Sequence, residues 1–224
     1  AYLRGRQLMV NRRSDELEQA LTEFRRATRL DPDFALAWVG VADAAQLAAS
    51  YGTLDYAESM GIRQEAVDTA IGLDPELGEA HLAKAQLMSA RGLDADAQYQ
   101  RAIELSPGNA TTYHWYANYL RESPAGLPRA VELLRHALEI DPLSSIIRRG
   151  LVGCLAMQGR YAEAQQALDR LLELDPDFPN HEPDPALKET VEALGARVLE
   201  EKADLGVAFD GDAWSLLGGG VNGS

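Results

Sequence analysis

The sequence contains a single cysteine and no long hydrophobic run, and both absences narrow its structural class. With only Cys154 among 224 residues, an internal disulfide framework is excluded. Cys154 lies in an apolar stretch, which favours a small residue of the core over a catalytic nucleophile. No apolar run approaches the roughly 20 residues of a membrane-spanning helix. We therefore predict a cytoplasmic chain without a membrane partner, and Ala1 in place of methionine leads us to expect a part of a longer protein.

Basic residues are also scarce. Lys and Arg together number 21 against 35 Asp and Glu, which gives a formal net charge of −14. A surface that follows nucleic-acid phosphates needs clustered Lys and Arg, so nucleic-acid binding by this segment is disfavoured. The same charge disfavours an anionic membrane surface and favours basic or polar partners. The alternative is that the acidity serves only to keep the chain soluble.

The sequence lacks the residue patterns of the common catalytic sites. None of its four histidines has a cysteine, histidine or carboxylate partner at a recognised metal-ligand spacing. These histidines are His81, His114, His136 and His181. There is no glycine-rich phosphate loop and no nucleophile elbow, and the carboxylate pairs fit the solvated faces of helices. We therefore predict no catalytic, metal or cofactor site, and a protein that is not an enzyme.

What the sequence does contain is an internal repeat, and a repeat decides the whole fold. The tripeptide Leu-Asp-Pro or a close variant occurs five times, ending at Pro32, Pro75, Pro107, Pro142 and Pro176. These prolines are 43, 32, 35 and 34 residues apart. Proline cannot continue the interior of a helix, but it fits the first turn of the next one. Each tripeptide therefore predicts a turn between two helices.

Small and large apolar residues recur at fixed offsets before these prolines. Twelve, eight and five residues before Pro32 stand Ala20, Phe24 and Ala27. The same offsets in the other units hold Arg63, Val67 and Ala70; Ala95, Tyr99 and Ala102; Ala130, Leu134 and Ala137; and Ala164, Leu168 and Leu171. Small residues let two helices cross closely, with a larger residue packed between them. Four of the five units fit, whereas Arg63 makes the start of one helix irregular.

The residues that follow the prolines extend this pattern. They include Trp38, Val41 and Ala42; Tyr113, Tyr116 and Ala117; and, as a weaker match, His81, Lys84 and Ala85. The combined pattern resembles the tetratricopeptide repeat (TPR), which implies an all-α fold: a solenoid of helical hairpins that winds as a right-handed superhelix. We expect about four to five helix pairs over residues 1–178. An insertion near residues 49–59 carries Tyr51 and Tyr56, which either pack over the hairpin or reach a partner.

Four segments resemble the TPR region of a family of bacterial regulators. They read AYLRGR at residues 1–6, NRRS at 11–14, NATTYHWYA at 109–117 and DPLS at 141–144. In that family a winged-helix DNA-binding domain or an adenylate cyclase domain precedes the repeats. The resemblance implies that this chain is the partner- or effector-sensing part of such a regulator. It carries over no DNA-binding residue, because no winged helix is present in this sequence.

In the TPR fold, the first helix of each pair directs side chains into an inner groove. Mapping this rule onto the sequence nominates Leu36, Val39, Asp43, Gln46, Leu82, Gln86, Ser89, His114, Asn118, Arg121, Ile146 and Arg149. The mixture suits an extended peptide: an apolar floor, amide groups for the peptide backbone, and two arginines for a carboxylate. Asp43 stands where the chaperone-tail-binding TPR domains have an asparagine, so that specialised role is not predicted. The alternative is a groove that is unused or holds the chain's own tail.

The repeat is interrupted after Phe178. Pro179, Pro183 and Pro185 occupy the place of the next first helix, and three prolines forbid a helix there. We expect a proline-rich linker over residues 179–202, whose amphipathic second half is a candidate helix for capping the solenoid. Residues 203–224 are predicted to form an irregular or flexible tail with a short apolar strand at 205–209. Because exposed strands pair, the tail is a candidate element for homo-oligomer formation.

Residues 178–212 are similar to a fragment of the phosphohexomutases (phosphoglucomutase and phosphomannomutase). In that family an Asp-Gly-Asp-x-Asp-Arg loop holds magnesium, and Asp210 and Asp212 match its first two carboxylates. Trp214 and Ser215 replace the third carboxylate and the arginine, and two carboxylates make a weak site for a hard cation. The alternative function is therefore a chain with a fused fragment of a magnesium-dependent phosphohexomutase. The sequence leaves open whether this tail is native, fused or vestigial.

Overall fold

The computed structural model describes residues 1–10, 13–174, 205–210 and 213–218, which form ten helices and one two-stranded sheet. The helices are α1 (Tyr2–Val10), α2 (Ser14–Leu30), α3 (Ala35–Ser50), α4 (Tyr56–Leu73), α5 (Gly78–Ala90), α6 (Asp96–Leu105), α7 (Ala110–Leu120), α8 (Leu127–Ile140), α9 (Ser145–Met157) and α10 (Tyr161–Leu174). The strands are β1 (Leu205–Asp210) and β2 (Ala213–Gly218). The helical-hairpin architecture predicted from the repeat is confirmed.

The chain divides into two compact units, Ala1–Tyr119 and Leu120–Ser224. In the first unit each helix from α1 to α5 packs against the one that follows it, up to α6. The first helices of successive pairs also touch, because α3 contacts both α1 and α5. In the second unit α9 packs against α8 and α10. Contact mainly between near neighbours is the pattern expected of stacked repeats.

Phe24 is the centre of the core where α1, α2 and α3 meet. Its side chain has no exposed surface, and its ring meets the Tyr2 ring edge-on at a centroid distance of 5.8 Å. Two glycines leave room for the Phe24 ring. A Cβ atom at Gly40 would clash with the ring, and one at Gly5 would lie only 3.0 Å from it. The large residue of the predicted pattern thus packs against two glycines that the pattern itself did not name.

The four described turns between repeats share one backbone hydrogen bond. In each, the amide of the residue before the proline donates to the carbonyl of the alanine five residues before the proline. The four bonds, 2.9 to 3.0 Å long, join Asp31 to Ala27, Asp74 to Ala70, Ser106 to Ala102 and Asp141 to Ala137. All four alanines are buried. One small residue thus permits the close crossing and also accepts the bond that ends the helix. The turn predicted at Pro176 lies outside the described residues.

A second hydrogen bond closes each of these turns from the following helix. The side chain six residues after the proline donates to the proline carbonyl, at 2.8 to 3.0 Å. The four pairs are Trp38 Nε1 to Pro32, His81 Nε2 to Pro75, Tyr113 Oη to Pro107 and Arg148 Nη2 to Pro142. The four side chains differ in shape and charge but all bring an N–H or O–H donor. The repeat therefore requires a donor at this position more strictly than it requires an aromatic ring.

The insertion near residues 49–59 lengthens two helices and leaves only a short loop. α3 has 16 residues and α4 has 18, whereas the next pair, α5 and α6, has 13 and 10. Asp55 caps α4 by accepting a hydrogen bond from the Glu58 amide at 3.0 Å. The Tyr56 hydroxyl donates to the Ala90 carbonyl at 3.2 Å. Tyr56 is thus tied to the neighbouring helix pair by one hydrogen bond, while 59% of the residue stays exposed.

The end of the chain differs from the irregular or flexible tail predicted for residues 203–224. β1 and β2 pair antiparallel, with Leu205 opposite Gly218 and Asp210 opposite Ala213. β1 corresponds to the predicted apolar strand. β2 was not predicted, because its six residues run straight into a glycine-rich segment. The paired backbone groups supply the hydrogen bonds that an irregular tail would have to find in water. The predicted linker over residues 179–202 lies outside the described part of the chain.

We expect overpacking at the helix crossing to destabilise the first unit. Ala102 is fully buried on α6, whereas Ala97 is exposed on the same helix. Ala102→Leu should lower the free energy of unfolding by about 1 to 3 kcal/mol, and the control Ala97→Leu should change it by less than about 0.5 kcal/mol. Urea unfolding followed by circular dichroism measures both. Equal stability of the two variants would show that the crossing is not close at Ala102.

If the donor that bonds the proline carbonyl stabilises the turn, removing it should lower the free energy of unfolding. Tyr113→Phe deletes the hydroxyl that bonds the Pro107 carbonyl and should lower the free energy of unfolding by about 0.5 to 1.5 kcal/mol. Tyr51→Phe is the matched control, since the Tyr51 hydroxyl makes no hydrogen bond to any described residue and the side chain is exposed. The same unfolding measurement compares them. The expectation is wrong if both substitutions have the same effect.

Candidate functional site

A cavity of about 380 Å³ opens in the first unit, between α3, α4, α5, α6 and α7. We call it the α3–α7 pocket. Its lining residues are Gln46, Ala49, Ser50, Tyr56, Ser59, Arg63, Gln86, Ser89, Ala90, Tyr99 and Trp115. Ala49, Ser50, Tyr56 and Ser59 belong to the insertion. The extra length of α3 and α4 therefore builds one wall of the pocket.

Three of the predicted groove residues meet in this pocket. Gln46 lies on α3, and Gln86 and Ser89 lie on α5. All three are partly exposed, so their amide and hydroxyl groups are accessible to a ligand. They come from the first helices of two successive pairs. The polar groups of two repeats thus lie in one place.

The other α3 and α5 positions have different environments. Leu36, Val39, Asp43 and Gln46 follow one another at intervals of three, four and three residues, so they share one face of α3. Val39 and Leu82 are buried in the core, while Leu36 and Asp43 are partly exposed. Val39 and Leu82 therefore serve mainly to pack the helices, whereas the Gln46 side chain remains partly exposed.

On α7 the pocket residue is not the one predicted from register. Trp115 lines the pocket, whereas His114 and Asn118 do not. Asn118 Nδ2 donates a hydrogen bond to His114 Nε2, one helical turn earlier, at 3.1 Å. The His114 ring also contacts the Trp115 ring at a centroid distance of 5.8 Å. The two predicted residues therefore lie beside the tryptophan and are not themselves part of the lining.

The remaining predicted groove residues belong to the second unit. Arg121 lies beside Cys154, whose thiol it hydrogen-bonds. Burial raises the pKa of the Cys154 thiol, and the positive charge of Arg121 acts in the opposite direction. Cys154 has no exposed surface, which confirms it as a residue of the core. Ile146 is exposed and Arg149 is partly exposed, and both lie on α9.

Arg63 is the pocket residue that the groove rule missed. It lies on α4, a second helix, and only 5% of its surface is exposed. Its Nη2 donates to Gln46 Oε1 at 2.7 Å and its Nη1 lies 3.7 Å from the Met60 sulfur. The sequence does carry a signal, because Arg63 stands at the offset that alanine fills in the four other units. The pattern alone indicates an irregular helix start at this position, but α4 runs through it without a break.

Asp43 is the second unusual charge in this region. The residue keeps intermediate exposure, but burial of its carboxyl group among protein atoms raises its pKa to about 6. Arg63 and then Arg6 oppose this shift, and Glu79 adds to it. Because the folded state holds the proton more tightly than the unfolded chain, Asp43 destabilises the fold once it ionises. This destabilisation begins near pH 4 and is complete a little above pH 6.

Neither a metal site nor a membrane span is found in the described part of the chain. Within residues 1–10, 13–174, 205–210 and 213–218, no group of three His, Cys, Asp or Glu side chains is placed to hold a metal ion. Gly211 and Asp212 of the magnesium-like loop lie outside these residues. No described helix combines the length and apolarity that crossing a membrane demands.

Asp43 should make stability depend on pH. Asp43→Asn mimics the protonated side chain, so it should raise the free energy of unfolding at pH 7 by up to about 3 kcal/mol, from a shift of about two pKa units. At pH 4 the difference should be below about 1 kcal/mol. Urea titrations at both pH values measure this. Asp33→Asn, at an exposed turn position, is the control and should show no such pH-dependent gain. A gain at pH 4 as large as that at pH 7 would contradict the assignment.

Comparison with known proteins relates the fold to that of tetratricopeptide-repeat (TPR) proteins. A model described as tetratricopeptide repeat matches residues 127–182. The solved structure of TTC0263, a thermophilic TPR protein of Thermus thermophilus, has a TM-score of 0.64 and 19% identity and covers 79% of this chain and 91% of its own. YrrB, described as a TPR protein with an unusual peptide-binding site, has a TM-score of 0.50 and 20% identity over 73% of this chain and 80% of its own.

A curated relative matches a shorter segment. The phosphomannomutase/phosphoglucomutase of Pseudomonas aeruginosa is 37% identical over 89 residues, which are 38% of this chain and 19% of that enzyme. The chain thus spans about a fifth of the length of this relative. The match is consistent with the resemblance to a phosphohexomutase fragment found in the sequence. It covers too little of either protein to indicate a shared overall fold. The helical pairs of this chain thus share the tetratricopeptide-repeat fold, and the repeat model itself matches residues 127–182.

Proposed function

We propose that this chain is a protein-interaction scaffold that binds an extended peptide or protein segment on the faces of its first helices. The observation that carries this proposal is the α3–α7 pocket, where Gln46, Gln86 and Ser89 of two successive repeats meet. Amide and hydroxyl side chains both donate and accept hydrogen bonds, so they match the alternating N–H and C=O groups of an extended backbone. TPR proteins bind proteins or peptides, so the fold favours this function.

The aromatic residues of the pocket favour a peptide with at least one large or apolar side chain. Tyr99 is buried and stacks on Tyr116 at a centroid distance of 5.1 Å, with the rings 12° from parallel. The Tyr116 hydroxyl donates to Asp96, which fixes this stack between α6 and α7. Trp115 lines the pocket one residue away. Rigid aromatic walls bind side chains with little loss of conformational entropy. The description of YrrB as a peptide-binding TPR protein supports the same class of ligand.

The sequence resemblance supports a proposal for the cellular role. We propose that the chain is the partner- or effector-sensing part of a bacterial transcriptional regulator and acts in the cytoplasm. Its net charge of −14 disfavours nucleic-acid binding by this segment. Arg121 and Arg149 remain candidate contacts for a carboxylate in the second unit. The two-stranded sheet leaves one edge of each strand unpaired by the other, so we retain the tail as a candidate element for homo-oligomer formation.

A second candidate function rests on the phosphomannomutase/phosphoglucomutase match. In this alternative, the C-terminal residues are a fused fragment of a magnesium-dependent phosphohexomutase, with Asp210 and Asp212 as partial metal ligands. The match of 37% identity over 89 residues favours it. The missing third carboxylate and arginine weigh against it, and we propose a chain that is not an enzyme and needs no cofactor. Magnesium-dependent turnover of a hexose phosphate is the property that separates the two functions.

Peptide selection tests the scaffold function. Displayed random twelve-residue peptides should yield ligands that bind the 224-residue chain with micromolar dissociation constants by fluorescence anisotropy. Gln86→Ala removes one accessible amide and should weaken binding about fivefold, the value of one hydrogen bond. Gln19→Ala, on the exposed surface of α2, is the control and should leave the affinity unchanged. Failure to select any peptide, or equal affinity of all three proteins, would overturn the proposal.

A further inference from the structure

Arg63 occupies a position where packing alone would be served by alanine. The offset twelve residues before the proline holds Ala20, Ala95, Ala130 and Ala164 in the other four units, and each of them is buried. A buried charge loses its hydration, and replacing it with a well-packed apolar residue often stabilises a protein. The arginine therefore adds nothing that the helix crossing requires. Its presence calls for a reason outside the packing of the repeat.

The protein itself satisfies only part of the Arg63 guanidinium. A guanidinium group has five N–H donors. Two of these donors are used, one in the hydrogen bond to Gln46 Oε1 and one in the contact with the Met60 sulfur. No carboxylate in the described parts of the chain lies within the 4.0 Å of an ion pair with Arg63. Asp43 is the opposite charge that acts on Arg63 most strongly, and it does so without forming an ion pair. Arg63 thus brings unused donors and an unpaired positive charge to the pocket.

The composition of the pocket sets the chemical class of its ligand. Among the eleven described residues that line the pocket, Arg63 alone carries a charge. On a chain with a net charge of −14, this makes the pocket a local positive site with aromatic and small polar walls. Its volume of about 380 Å³ is at the small end of ligand pockets, which range from about 300 to 1,000 Å³. It fits one or two side chains of a peptide and not a folded surface.

We propose that the α3–α7 pocket binds the carboxylate of an acidic residue in a partner peptide, with Arg63 as its charged anchor and Gln46 holding the guanidinium in place. This inference rests on the proposed peptide-binding function and specifies its ligand. An arginine pairs with a carboxylate through two parallel hydrogen bonds. Phosphopeptide recognition uses clusters of arginines, and a single arginine with Asp43 nearby matches one negative charge better than two.

Matched peptides test the proposal directly. Two libraries of seven-residue peptides, acetylated and amidated at their ends, differ only in having Glu or Gln at the central position. By fluorescence anisotropy, the best Glu peptides should bind the 224-residue chain at least about tenfold more tightly than their Gln counterparts. Arg63→Ala should abolish this ratio, Arg63→Lys should retain part of it, and Arg29→Ala, an exposed arginine of α2, should retain all of it. Versions with a free C-terminus show whether the terminal carboxylate replaces that of Glu.

The outcomes separate this inference from the function on which it rests. If Gln peptides bind as tightly as Glu peptides, the chain binds peptides and the carboxylate inference is wrong. If no peptide binds, both are wrong. If N-acetylglutamate amide binds as tightly as the peptides, the ligand is a small carboxylate and the peptide class is wrong. At pH 4, where Asp43 is protonated, Arg63→Ala should melt at the same or a higher temperature than the unmodified chain, because it restores the residue found in the other units. Should Arg63→Ala fail to fold, the ratio of affinities for Glu and Gln peptides, measured on the unmodified chain and on Arg63→Lys, still tests the inference.

Discussion

Four of the five repeats depend on one constraint, a helix crossing close enough to favour a small residue, whereas the buried Leu171 fills the same offset in the fifth. Ala27, Ala70, Ala102 and Ala137 each satisfy it, and each carbonyl also receives the amide that ends the helix. A bulky residue would therefore disturb two interactions at once, the packing of the pair and the start of the turn. From that turn the next helix sets out in a fixed direction, and a side chain in its first turns bonds back to the proline carbonyl. Close crossing, turn and helix direction are thus parts of a single local arrangement that the chain repeats.

This local character explains which features could be predicted from the sequence. The helix pairs and their turns recur at nearly constant spacing, so each repeat independently supports the register of the others. The α3–α7 pocket depends on residues that do not repeat from unit to unit, so the repeat pattern could not predict it. Trp115 differs from the predicted His114 by one position, which is about 100° around the helix. Tyr56 reaches α5 across 34 residues of chain, and no periodicity encodes such a contact. In the sequence, Arg63 stands out because it replaces the alanine of the other units. Only the structure shows that this arginine is buried beside Gln46 and lines a cavity.

The charges of the first unit also depend on each other. Burial disfavours the charged forms of both Asp43 and Arg63, and each partly relieves the other from beyond ion-pair distance. Neither charge contributes to the helix crossing, and both lie near the polar side chains of the first helices. The repeat framework thus tolerates an electrostatic cost in the place where several helices converge. Strongly perturbed pKa values in proteins cluster at functional sites.

The wall that the insertion adds has a consequence for how such proteins diversify. Each repeat contacts mainly its near neighbours, so a change of length within one hairpin leaves the spacing of all other repeats intact. Here about nine residues beyond the usual repeat length deepen the surface between two helix pairs into a cavity, with Ala49, Ser50, Tyr56 and Ser59 supplied by the added segment. A repeat array can therefore acquire a new cavity by lengthening one hairpin. It need not redesign its concave surface residue by residue, and the same graft should be transferable to other arrays with the standard repeat period.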